Sequence, residues 1–205
     1  MGRVRVYLVI SAVISCVLFA PCSAQQGDDR SLVFFRGAKW GMSKIEITKY
    51  EGKEPIYGNV SEGINTIVFE DKALNMHVQV IYCFVQDKLV RAGYMYLEEH
   101  ADKNQCVDDY RRVGEALKKR WGEPKQKDDK IWSDGLYKDN PKEWGLAVLG
   151  GHLRFECEWE TAETEVVHSL AAANSKIEHG LIYFNKEFER LQQQTVREGS
   201  AKKPS

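Results

Sequence analysis

Apolar positions along the chain repeat with two periods, and the change from one to the other marks out the elements. Ser43 and Glu46 have the three-residue spacing of a capping box, with Met42 and Ile47 placed to staple the turn. Gly52 and Pro55 then supply a stop, so a short helix is expected between them. Period two follows. Residues 65–70 form a short strand-like run. Over 75–85, Met76, Val78, Val80, Tyr82 and Phe84 alternate with His77, Gln79, Ile81 and Cys83. Gln86-Asp87 turns this run into 88–97, which predicts an antiparallel hairpin. The helical period returns after Asn104, read as the cap. Val107, Tyr110, Val113, Leu117 and Trp121 share one face, with acids early, bases late, and Gly122 and Pro124 closing the helix.

Beyond it, 130–133 reads as a strand and the chain is irregular to Lys142. Residues 144–149, 152–160, 164–172 and 176–184 read as successive antiparallel strands with turns at 150–151 and 173–175. The connections are too short for crossover helices. The expected class is therefore α+β, with antiparallel sheet and helices packed on one face, in the order helix-βββ-helix-ββββ. Residues 31–197 form the expected compact unit, divisible into blocks 31–100 and 101–197. No residue-level repeat links the two blocks. The 31–35 run reads as an edge strand or a tethered arm, 187–197 as a last helical turn or two, and 198–205 as a disordered tail.

The N-terminus changes the picture of where the protein works. Arg3 and Arg5 precede an apolar run from Val6 to Ala20, and Pro21-Cys22-Ser23-Ala24 offers small residues before a cut after Ala24. Residues 1–24 therefore read as a signal peptide and 25–30 as a polar linker, giving a periplasmic or secreted bacterial protein with no membrane span after cleavage. The second choice is a lipoprotein, because Val13-Ile14-Ser15-Cys16 resembles a lipid-attachment box. Cleavage leaves Cys83, Cys106 and Cys157, which match no zinc or redox spacing and read as small core hydrophobes. An oxidising compartment permits one disulfide among them, and the pairing stays open.

The chain has 29 basic and 30 acidic side chains, with a sequence pI of about 6.5 and mean hydropathy of −0.46. That balance argues against a nucleic-acid partner recognised through bulk charge. No GxSxG or HExxH motif occurs, and the five histidines (77, 100, 152, 168, 179) stand singly. His168 and His179 lie on facing strands of a hairpin and read as half-exposed sheet residues that approach one another. No catalytic, cofactor-binding or metal-binding residue is assigned. Glu98, Glu99, His100 and Asp102 read as a solvated strand end. Glu156, Glu158 and Glu160, continued by Glu163 and Glu165, read as a charged sheet face open to a cation or a basic partner. The 132–144 stretch places Trp132, Tyr137 and Trp144 among Gly, Asn and Pro. These three are the candidate partner-binding residues, with core filling as the competing role. Tyr137 is expected to be the most exposed of them.

Phe35-Arg36-Gly37-Ala38-Lys39-Trp40-Gly41-Met42-Ser43 resembles the FRG-x-KWGMS opening of a family of exported bacterial proteins whose function is uncharacterised. The region 108–187 resembles the same family through three segments. These are Trp121-Gly122-Glu123-Pro124, Leu136-Tyr137-Lys138-Asp139 with Pro141 and Trp144-Gly145, and Trp159-Glu160 followed by Thr164. The resemblance implies an exported protein and no catalytic residue. A looser likeness, a capped helix followed by antiparallel strands, is similar to small outer-membrane assembly lipoproteins and β-lactamase-inhibitor-like domains, both binding folds. The leading functional expectation is a non-enzymatic module that binds a protein partner in the bacterial envelope, through its sheet face or the 132–144 loop. The alternatives are a hydrolase-like enzyme whose site assembles only in three dimensions, and an envelope-assembly lipoprotein.

Overall fold

The structure, a computed structural model, describes residues 35–126 and 128–187. The expected signal peptide, the Cys16 alternative, the 25–30 linker, most of the 31–35 run, the last helical turns and the tail lie outside the described residues. The chain runs α1 (Lys44–Glu51), β1 (Tyr57–Ser61), β2 (Ile64–Ala73), β3 (Met76–Val85), β4 (Lys88–Tyr96) and α2 (Asn104–Trp121). It continues through β5 (Lys130–Trp132), α3 (Trp144–Leu149), β6 (Leu153–Glu160), β7 (Thr164–Ala173) and β8 (Lys176–Asn185). All eight strands join one antiparallel sheet in the order β1-β2-β3-β4-β8-β7-β6-β5.

This is the α+β, antiparallel architecture that the periodicity implies, with two corrections to the element order. Four strands, not three, follow the first helix, because β1 pairs with β2 although all five of its residues are exposed. A strand with no buried face leaves no alternation to detect. The second correction is at 144–149, which is a helix and not a strand. Asn140 accepts from the Lys142 amide at 3.3 Å, Pro141 opens a 3-10 turn, and that turn runs directly into α3. Adjacent burial of Ala147 and Val148 suits a helical face and breaks strand alternation.

One set of alternate strand residues builds the two clusters that the helices cover, and Val85 and Val90 form a smaller third cluster with Ile64 and Phe184. Ile67, Phe69, Val78, Val80, Tyr82, Tyr94, Trp159, Val166, Leu181 and Tyr183 share a cluster with Ile47 of α1 and with Val113 and Leu117 of α2. Leu153, Phe155 and Leu170 share a second cluster with Val107 and Tyr110 of α2 and Ala147 and Val148 of α3. The α2 stripe is thus buried as its spacing predicts, except that Trp121 is only half-buried. Asn104 is the first helical residue and not the cap. Asp102 accepts from its amide at 2.9 Å, while the Asn104 side chain accepts from Gly145 at 2.6 Å and donates to the Pro141 carbonyl at 3.2 Å. The bond from Gly145 fixes the approach of α3 to α2. A Cβ on Gly145 would run into the Lys103 carbonyl, so only glycine permits it.

The helix at 44–51 has the capping box that its sequence announces. Ser43 Oγ accepts from the Glu46 amide at 3.3 Å, and the Glu46 carboxylate accepts from the Ser43 amide at 2.7 Å. Gly52 takes a left-handed conformation (φ 65°) to end it.

Candidate functional site

Four constellations carry polar or aromatic chemistry. The first surrounds the opening motif. Phe35 is buried against Tyr82, Tyr94 and Tyr183, with ring centroids 5.0–5.3 Å apart. Arg36 makes a two-pronged bond to the Glu51 carboxylate, Nε at 2.9 Å and a terminal nitrogen at 3.0 Å, and reaches Asp71 at 2.6 Å. Tyr82 donates its hydroxyl to Glu51, and Tyr50 donates to the Arg36 carbonyl. Burial opposes charge on Arg36, but Glu51 and Asp71 outweigh it and hold the guanidinium more firmly protonated than usual. Arg36 itself sits at φ 54°, a conformation that a non-glycine residue keeps only when its surroundings enforce it. Gly37 at φ 80° continues the turn, and any Cβ there would strike the Tyr50 hydroxyl. Further on, the Trp40 indole donates to Thr164 Oγ1 at 2.9 Å, and Gly41 and Met42 exchange backbone hydrogen bonds with Leu89. The FRG-x-KWGMS segment is therefore a fastening, with each of its distinctive residues engaged in packing or hydrogen bonds.

The second constellation is a histidine pair. His168 on β7 and His179 on β8 approach with Nε2 atoms 2.9 Å apart, as the hairpin suggests, but they are buried and not half-exposed, at 0% and 6%. Each is stacked by a tyrosine, His179 by Tyr96 at 4.2 Å and His168 by Tyr110 at 4.1 Å. Burial first, and then Arg112, drives the His179 pKa down to about 3. Burial and His179 push that of His168 well below its ordinary value. Both rings are neutral at pH 7, one donating to the other. Cys157, the register partner of His168, is kept as a thiol by burial. The Tyr96 hydroxyl and His168 Nδ1 are buried without a hydrogen-bond partner among the described residues, and the Tyr110 hydroxyl is set against the Cys157 thiol. Two nitrogens do not make a metal centre, and no group of three or more His, Cys, Asp or Glu side chains converges among the described residues. The sequence signal for this pair was its cross-strand placement; its burial depends on α2, whose Tyr110 covers it.

The third constellation is the 132–144 loop. Trp132 and Trp144 meet edge to face at 6.2 Å, and His152 bonds Asp134 at 2.8 Å while its ring meets Tyr137 at 5.9 Å. All three candidate aromatics, Trp132, Tyr137 and Trp144, are half-buried and pack against the second cluster. Trp132 ends a strand, whereas Trp144 opens a helix. Trp132 pairs with Leu153 in the β5–β6 register and Trp144 meets Phe155 at 6.1 Å, while Tyr137 is half-buried like the tryptophans.

The fourth lies on the other set of alternate strand residues. Following the register gives Tyr57–Val68–Ile81–Gly93–Ile182–Val167–Glu158, a row crossing seven strands that is apolar until its last member. The adjoining row ends Met95–Gly180–Ser169–Glu156. None of these residues belongs to the two clusters that contain helix residues, although Val68 and Val167 are buried, at 7% and 5%, and Ile81 and Ile182 are half-buried. Glu160 next to them is held well down, to about 2, by Lys125 and Lys186. Burial instead raises the pKa of Glu156, and of Glu178 on β8. Sequence alternation identified the acids on β6; the row itself was not legible because register decides it.

The polar strand end at 98–102 resolves into ordinary contacts. His100 meets Asp109 at 2.6 Å, Glu98 accepts from the His77 amide at 2.7 Å, and Glu99 pairs with Lys176 at 3.1 Å. Cys83, Cys106 and Cys157 are free thiols. No helix among the described residues is long and apolar enough to cross a membrane. Compared with known proteins, the chain matches no family model, no curated protein and no solved structure.

Proposed function

We propose that this chain is an exported bacterial protein that works by binding another envelope component, without catalysis. In this reading α1, α2 and α3 serve one face of the sheet and the opposite face is the working surface. The observation that supports it is the row Tyr57–Val68–Ile81–Gly93–Ile182–Val167 ending at Glu158, with Glu156 beside it. An apolar stripe bordered by carboxylates suits a partner with an apolar surface and basic residues at one end. The sheet face is preferred to the 132–144 loop because Trp132, Tyr137 and Trp144 are occupied in covering the second cluster. The signal at 1–24, the family suggested by the FRG-x-KWGMS opening and the periplasmic address belong to the same proposal.

The test is photo-crosslinking in cells, with a reactive residue at Ile81 or Ile182 and a control at exposed Leu136 on the loop. The expected result is a discrete adduct from both sheet positions, lost when Met95→Asp in the adjoining row is added, and none from Leu136. Adducts from Leu136 alone, or none from either sheet position, would overturn the proposal.

A further inference from the structure

The two ends of the sheet are unlike, and the difference concerns what can attach to them. At one end β5 is three residues long. Its Lys130 is tied to Asp128 at 2.8 Å and Asp129 at 3.3 Å and lies over the Trp144 ring. Short length and an anchored lysine are devices that keep an edge from pairing. At the other end β1, Tyr57-Gly58-Asn59-Val60-Ser61, has no charge, no proline and no bulge in its register with β2. All five residues are exposed, Val60 at 67%. Ile56, Tyr57 and Val60 are exposed large hydrophobics along this edge. No described strand pairs with the outer edge of β1.

We infer that β1 is a self-association edge, pairing antiparallel with β1 of a second copy about a two-fold axis at Asn59. The open hydrogen-bonding groups of an extended edge accept only another extended strand. An antiparallel pair of identical strands is self-complementary, and two-fold dimers are the commonest closed assembly. In this register Asn59 faces its own counterpart, Tyr57 faces Ser61, and Glu62 of the β1–β2 turn arrives beside Ile56 of the other copy. The segment it reaches carries Lys53, which also pairs with Asp71 at 3.7 Å, so antiparallel pairing brings the Glu62 carboxylate of each copy toward a lysine of the other. A stable dimer needs roughly 800 Å² buried per copy, more than five residues of strand provide, so the association is reversible and concentration-dependent. This inference is independent of the binding role proposed for the sheet face.

The experiment is sedimentation velocity on the mature chain between about 1 and 500 μM, a range that brackets weak dimers. The parent protein should shift from monomer toward dimer, and Val60→Pro, which removes an amide that points away from β2, and Val60→Lys should each hold it monomeric with the unfolding midpoint of the parent. As a second measurement, Asn59→Cys should form a self-crosslinked dimer on oxidation while Lys130→Cys, at the opposite edge, does not. A parent that is monomeric throughout, or a dimer that survives both edge substitutions, would overturn the inference.

Discussion

Each half of the sheet is a helix followed by four antiparallel strands, and the halves meet where β4 pairs with β8. Their helices differ greatly. The first has eight residues and buries only Ile47; the second has eighteen and buries Val107, Tyr110, Val113 and Leu117. The first half compensates with the Phe35–Met42 arm, which lays Phe35, Trp40 and Met42 against the same cluster and is clamped by Arg36, Glu51 and Asp71. The halves also differ at the outermost hairpin. Glu62-Gly63 turns β1 into β2, whereas the second half inserts the aromatic loop and α3 between β5 and β6. One topology is closed in two ways, by a buried charge pair on an arm and by an apolar helix with an inserted cover.

That contrast predicts different sensitivities. Leu117→Ala removes a fully buried side chain from the long helix and should cost about 2–5 kcal/mol in urea denaturation. A neutral result would mean that the C-terminal part of the α2 stripe is not packed in the first cluster. Glu51→Gln breaks the clamp of the first half. Removing one partner of a buried pair costs roughly 3–5 kcal/mol, and because Arg36 is partly exposed the loss should fall at or below the lower end. Adding Arg36→Met should then cost less than it does in the parent, because its bonds to Glu51 are already weakened and only Asp71 loses a close partner. Additive losses would show that the clamp is not a unit.

The histidine pair gives the second half a pH dependence of its own. The folded His179 pKa is about 3, below the ordinary value of 6.5, so the unfolded chain takes up the proton first as pH falls. The stability that the neutral ring contributes is complete above about pH 6.5 and is lost on descent toward pH 3, by up to about 1.4 kcal/mol per unit. Urea midpoints at pH 7, 5 and 4 should therefore fall less for His179→Gln than for the parent; parallel curves would exclude the pair as the origin. The smallest effect belongs to the first helix, where Ser43→Ala removes half of the capping box for about 1 kcal/mol.

How much of this could be read from the residues follows the same division. The capping box, the α2 stripe and the β3–β4 hairpin were legible because each is local, a cap three residues from its partner or a face repeated at fixed spacing. Strand β1 was not, because exposure on every side chain leaves no pattern. Helix α3 was not, because six apolar residues fit either element and its register is set by Asn104, forty-one residues from Gly145. The charges of the clamp were visible, but Arg36, Glu51 and Asp71 converge only through the sheet. The burial of His168 and His179 likewise depends on α2 lying over them. The row on the opposite face required the register of six strand pairs.

The claim that the sheet face and not the aromatic loop is the binding surface can be tested by one comparison. With the crosslinking residue at Ile182, Ile81→Asp and Tyr137→Ala are measured side by side for adduct yield and unfolding midpoint. The account predicts that Ile81→Asp keeps the midpoint within about 1 kcal/mol of the parent and loses about tenfold in adduct. Tyr137→Ala should lower the midpoint and retain the adduct, as expected of a ring packed on the second cluster. Loss of adduct in Tyr137→Ala at an unchanged midpoint, with Ile81→Asp still crosslinking, would contradict it.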